Sequence, residues 1–192
     1  GAVRSTPAPA APPASPRDAA AESGAALDTL RAEHHRLTRA LARLAPRGPY
    51  LVVDTAQNVV SLRSGDRVIH RAVASTGSGR ALVDPTGNRR WIFDTPRGAF
   101  KVQSRLTDPV WVKPDWAFIE DGQPIPRDRA ARLEPGVLGE YALGLGNGYF
   151  IHGTLYTRLL GQNVTHGCIR LADEDLRKIH HAAPLGTPVF IY

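Results

Sequence analysis

From Tyr50 onward the hydrophobic residues recur with a period of two, and this constrains the chain more than any other feature. YLVVDT, NVVSLRSG and DRVIHRAVAST each read as a short, β-branched strand bounded by polar turn residues. TPRGAFKVQSRL supplies another strand, YALGLG and GYFIHGT are broken by glycine, and GTPVFIY comes last. Successive side chains on a strand point to opposite faces, so each segment offers one face to a core. Within this block one helix is expected, from about Asp173 to Ala183. Asp173 suits its N-cap, and the next two residues are acidic, as the helix dipole favours. Many closely spaced short strands with one late helix predict a mostly β fold, a sandwich or barrel.

The preceding sequence has another character. Residues 1–26 contain APAAPPASP and DAAAESGAA, with nothing large and apolar after Val3. Such a segment buries too little surface to fold by itself, so it reads as a disordered Ala/Pro linker. Either it tethers the chain to something, such as a membrane anchor, or it is a plain tail. Residues 27–49 are expected to form an amphipathic helix and a connector. Leu27, Leu30, Leu37, Leu41 and Leu44 recur at steps of three and four, with His34 filling the gap. That narrow stripe is expected to pack on the following domain or to self-associate. Residues 50–192 form the folded domain. Inside it, DPVWVKPDWAFIEDGQPIPRDRAARLEPGVLGEY is read as one long irregular segment, whose Trp111 and Trp116 belong to a core or to the wall of a groove.

Composition excludes some classes. No stretch approaches the roughly 18 apolar residues of a membrane helix. The net charge is +6, almost all from scattered arginine, with only Lys101, Lys113 and Lys178 as lysines. Scattered arginines with few stacking aromatics argue against nucleic acid. They suit a polyanion of another kind, such as a carboxylate-rich polymer. The single cysteine, Cys168, rules out an intramolecular disulfide and is silent on compartment. The chain does not begin with Met, so the lack of a leader is equally silent.

Cys168 lies in NVTHGCIRL, after His166 and Gly167. A lone cysteine is often a small buried hydrophobe. It is also a potential nucleophile when cationic or amide groups surround it. His152 stands sixteen residues earlier, at the end of an apolar strand, with Gly153 directly after it. Histidine has the pKa range of a base that activates a thiol. Gly167 lets the backbone turn sharply and present amides to a developing oxyanion. No aspartate or asparagine is obviously placed to orient the histidine, so a backbone carbonyl, with Gly153 the nearest, is the expected partner. His152, His166 and Cys168 are also zinc-ligand types, but a structural zinc site needs four ligands and no fourth is evident.

IHGT and THGCIRL, with twelve residues between His152 and Thr165, resemble the signature of the L,D-transpeptidase catalytic domain, the YkuD family. YLVVDTAQNVVSLRSGDRVIHRAVASTG resembles that family's opening strands, TPRGAFKV its central strand, and DPVWVKPDW its tryptophan-proline segment. The resemblance covers roughly residues 50–192. Threonine in place of the commoner serine before His166 and a short spacer are the departures. The resemblance implies an exported enzyme of the periplasm or cell envelope, active in cell-wall biogenesis, with peptidoglycan stem peptides as substrate. It implies no cofactor and no metal. Cys168 would attack the carbonyl of the third stem residue and release D-alanine. An acceptor amine would then take the acyl group, giving a 3→3 crosslink or attaching a protein. The resemblance makes His152 the base, oriented by the Gly153 carbonyl, and places the oxyanion amides at Gly167 and Cys168. His166 would line the pocket, and Arg170, Thr165 and Tyr156 would meet substrate. A carbapenem would be a covalent inhibitor. Two other functions remain expected alternatives: an L,D-carboxypeptidase or endopeptidase on the same scaffold, and a non-catalytic wall-binding module.

Overall fold

The structure, a computed structural model, describes residues 16–192. It comprises two compact units, the first ending at Ala45 and the second running from Pro46 to Tyr192. In the first, α1 spans Pro16–Leu44, so the helix starts well before Leu27 and takes up the second part of the expected linker. The reason lies in composition. DAAAESGAA is rich in alanine, the strongest helix former, and proline at the first helical position loses no hydrogen bond. Residues 1–15 of that linker lie outside the described residues. On α1, Glu33 and Arg36 pair one turn apart, with N–O distances of 2.7 and 2.5 Å.

The second unit is mostly β. It begins with β1 (Pro49–Asp54), β2 (Val59–Ser64) and the long β3 (Arg67–Gly77). A small hairpin, β4 (Ala81–Val83) and β5 (Arg90–Ile92), precedes β6 (Gly98–Lys101) and β7 (Ser104–Thr107). The segment expected to be irregular contains β8 (Val110–Val112), α2 (Asp115–Glu120) and β9 (Leu133–Pro135). Here β8 and β9 pair antiparallel. The remainder is β10 (Tyr141–Gly146), β11 (Tyr149–Thr154), β12 (Asn163–Thr165), β13 (Ile169–Ala172), α3 (Asp173–Ala182) and β14 (Pro188–Ile191). Ala172, not Asp173, holds the N-cap position of α3. Asp173 is the first helical residue, and with Glu174 and Asp175 it makes the first turn acidic.

Ten strands form one sheet in the order β6-β14-β1-β2-β3-β13-β11-β10-β7, with β12 added on β3. Three pairs are parallel: β1 with β14, β11 with β13, and β12 with β3. The sheet curls around α3. Leu51, Val60, Leu143, Ile151 and Leu171 from the strands share one buried cluster with Leu176 and Ile179 of the helix. Burying one such side chain fully is worth about 1.5–3 kcal/mol, so this cluster fixes the curl. The alternation expected from Tyr50 onward is therefore real, and its inward face is the core.

Candidate active site

The same alternation places the chemistry. On β11 Ile151 points into the core, so His152 points to the opposite face. On β13 Ile169 and Leu171 are core, so Arg170, and Cys168 just before the strand, share the other face. The parallel register sets His152 opposite Arg170. His152, Cys168, His166 and Arg170 all line one cleft of about 780 Å³. Its outer wall is aromatic, made by Trp91 of β5, Trp111 of β8 and Trp116 of α2. Trp111 and Trp116 are thus groove residues.

His152 is almost fully buried, at 4% exposure. Its Nδ1 lies 2.7 Å from the Gly153 carbonyl oxygen, as the sequence predicted. A carbonyl only accepts, so Nδ1 carries the proton and Nε2 keeps its lone pair. Burial lowers the His152 pKa to about 4; the Gly153 carbonyl opposes that shift, and the charge of Arg170 adds to it. Burial likewise pushes the Cys168 thiol up, although the Phe150 backbone and Arg170 pull the other way. Both shifts favour the neutral thiol and the neutral imidazole over a standing thiolate–imidazolium.

The Gly153 peptide is itself clamped. Its N–H donates to the Leu138 carbonyl at 2.9 Å. Gly139 lies against it with φ +72°, and the Asp173 carboxyl crowds both glycines. The Asp173 Oδ1 atom is buried without a hydrogen-bond partner, and burial raises its pKa.

The cysteine loop is cross-braced by two threonines. Thr165 Oγ1 donates to the Cys168 carbonyl at 2.6 Å and accepts the Gly167 N–H at 3.1 Å. Thr95 Oγ1 donates to the Gly167 carbonyl at 2.9 Å and accepts the Gly77 N–H at 2.8 Å. Gly167 has φ +117°, and a Cβ there would meet the Tyr149 ring and the Asp94 carbonyl within 3 Å. The Thr165 hydroxyl thus makes both of these hydrogen bonds inside the loop, and it engages the Gly167 N–H.

Tyr156 is 63% exposed and is not among the residues lining the cleft. The chain turns away after β11, where Thr154 Oγ1 accepts the Tyr156 N–H at 3.0 Å. His166 stacks on Trp116, with ring centroids 4.4 Å apart and 19° between planes. Phe93 meets it edge-on at 4.4 Å, and its Nε2 lies 2.7 Å from Glu120 Oε2. The aromatic wall is latched by ions. Asp115 binds Arg132 and Arg89, each at 2.6 Å, and Arg89 also reaches Asp84 at 3.0 Å. Trp91, Glu120 and Gly139 were not singled out from the sequence, and Asp173 was read only as a helix cap. Each acquires its role only through contacts distant along the chain, and no local pattern marks them.

Comparisons with known proteins place the chain in a family. The chain is 33% identical over 143 residues to the probable L,D-transpeptidase YbiS of Escherichia coli, a match covering 72% of this chain and 46% of YbiS. The chain thus spans less than half the length of that relative. Among solved structures, it superposes on the L,D-transpeptidase of Xylanimonas cellulosilytica with TM-score 0.56 and 22% identity, covering 77% of this chain and 62% of that one. Mycobacterium tuberculosis L,D-transpeptidase 3, in complex with a faropenem-derived adduct, superposes with TM-score 0.53 and 20% identity, covering 75% and 60%. The family profile described as the L,D-transpeptidase catalytic domain, YkuD, matches residues 48–191, and the chain belongs to that family.

Proposed function

We propose that this domain is an exported peptidoglycan L,D-transpeptidase with Cys168 as nucleophile. The observation that carries the reading is the His152 tautomer: Nδ1 is tied to Gly153, and Nε2 is left as a base in the cleft it shares with Cys168. In the acylation step Sγ attacks the carbonyl of the third stem residue while His152 Nε2 takes the thiol proton. The Cys168 N–H stabilises the oxyanion, since the Gly167 N–H is engaged by Thr165. The C–N bond breaks, and His152 returns the proton to the departing D-alanine amine. An acceptor amine then attacks the thioester, and the product is a new amide and free Cys168. Arg170 stabilises sulfur as its proton leaves. A strained β-lactam carbonyl suits the same attack, which makes a carbapenem a covalent inhibitor. The M. tuberculosis relative with its faropenem-derived adduct supports this point.

Water in place of the amine makes the same site an L,D-carboxypeptidase. Incubation with purified disaccharide-tetrapeptide, followed by mass spectrometry, tests both. Crosslinked dimer is the expected product, tripeptide alone means hydrolysis, and unchanged substrate under conditions where the protein is folded refutes the reading.

A further inference from the structure

Two histidines line the cleft, and acylation uses only one of them. His166 is held more elaborately than a wall residue needs. It is stacked on Trp116, met edge-on by Phe93, and bonded through Nε2 to Glu120 at 2.7 Å. Glu120 comes from the last position of α2, far from the cysteine loop in sequence.

The carboxylates around the cleft differ in their pairing. Those lining it are Glu120, Asp121 and Glu134. Lys113 neutralises two of them, lying 2.6 Å from Asp121 and 3.6 Å from Glu134. Glu120 has no lysine or arginine partner among the described residues, and its one ionic contact is His166. Both members of that pair stay partly open to solvent, with side-chain exposures of 30% for His166 and 45% for Glu120. Thus the cleft keeps one uncompensated carboxylate, in contact with a histidine two residues from the nucleophile, beside aromatic faces that favour cations.

From this we infer that Glu120 and His166 form the acceptor subsite, which takes a primary ammonium group and removes its proton. The inference rests on the acyl-transfer reading above and assigns the second half of that reaction to residues: the acceptor amine enters as an alkylammonium at neutral pH. An ammonium has no lone pair, so it must lose a proton before it attacks. His166 accepts that proton, and Glu120 holds the resulting imidazolium in place. The free amine attacks the thioester carbon, a C–N bond forms, and the C–S bond breaks. The nitrogen loses its second proton to the departing thiolate by way of His152. One proton leaves to solvent through His166, and the balance closes with no further reactant. His166 is the catalytic residue of this half-reaction and Glu120 a positioning residue.

The test uses the full chain and Glu120→Gln, which preserves size at an exposed position and removes the charge. Each protein is acylated with a soluble tetrapeptide stem and offered two acceptors. One is a simple alkylamine, cationic at neutral pH. The other is methoxyamine, neutral at that pH and in no need of deprotonation. Expected is a fall of about tenfold or more in transfer to the alkylamine, the scale set by a hydrogen bond to a charged group, with a raised KM for that amine. Transfer to methoxyamine should change little by comparison. Equal losses with both acceptors would show that Glu120 only props the wall, and equal rates in both proteins would show it does nothing; either overturns the inference. Intact mass after a carbapenem pulse separates the two levels. No adduct on the unsubstituted protein removes the parent reading and this inference with it. An adduct with no acceptor discrimination removes the inference alone.

Discussion

Gly139 and Gly153 meet backbone to backbone beneath the active-site histidine. A Cβ built on Gly139 would lie 2.8 Å from Gly153 Cα and 3.0 Å from its carbonyl carbon. That carbonyl carbon bears the oxygen that orients His152. Any atom added at position 139 therefore displaces the group that sets the tautomer.

Gly139→Ala is expected to lower stability by about 1–3 kcal/mol, the usual cost of overpacking, with its φ of +72° adding strain. It should also cut acylation by more than stability alone explains. Denaturant midpoints and the rate of carbapenem adduct formation measure the two effects. A variant that acylates normally would show that the Gly153 carbonyl is not needed in place.

His152 links pH to stability. Its pKa is about 4 in the folded protein, where burial opposes the charge, and about 6.5 when unfolded. The folded state thus binds fewer protons between these values, and stability falls as pH drops. The contribution is complete above pH 6.5 and is lost progressively down to about pH 4. It amounts to about 3 kcal/mol. Buried His180, whose pKa burial also lowers, adds in the same direction. Urea midpoints at pH 7 and pH 4.5 should differ less for His152→Gln than for the parent; an unchanged difference argues that His152 is not buried neutral.

Burial also raises the Cys168 pKa, so the free protein should hold little thiolate at neutral pH. Alkylation by iodoacetamide is expected to accelerate with each step of pH up to at least 9, without a plateau. A plateau near pH 6 or 7 would reveal a standing ion pair. Cys168→Ala should abolish both alkylation and turnover while leaving the fold unchanged.

Asp115 ties α2 to the β4–β5 hairpin through Arg89, and to the turn just before β9 through Arg132. These pairs are partly exposed, so Asp115→Asn should cost about 1 kcal/mol or less of stability. Hydrogen exchange should nevertheless quicken across residues 84–135. If exchange there is unaltered, the ions do not hold the aromatic wall.

Every cleft residue lies in the second unit. A chain beginning at Pro46 is expected to fold and to acylate with a carbapenem at the parent rate. Loss of adduct formation in the shortened, folded chain would place a catalytic contribution in residues 1–45.

The site was legible wherever its chemistry is local. IHGT and THGCIRL are short words, readable before any fold is known. The histidine's carbonyl partner could be named because it is the next residue. Non-local features stayed hidden. Glu120 and His166 are 46 residues apart, and Gly139 looks like an ordinary turn glycine until Gly153 is packed against it. Six residues of α2 are too few to show a helical period, so DWAFIE passed for loop. Tyr156 was named for its closeness in sequence to His152, and it is exposed outside the residues lining the cleft. The start of α1 was missed because an alanine-rich stretch lacks a hydrophobic stripe but still has high helix propensity.

The position of β14 bears on how the chain acquires its shape. It sits between β6 and β1, with Leu51 beside Val189 and Lys101 beside Pro188. The last strand of this domain is thus an interior strand, and it joins the first. Pairings so distant along the chain carry a large loop-closure cost and fold slowly. Until residues 188–191 arrive, β1 and β6 present open edges, the condition under which strands pair with the wrong neighbour. This side of the sheet therefore closes only when the two ends of the domain meet.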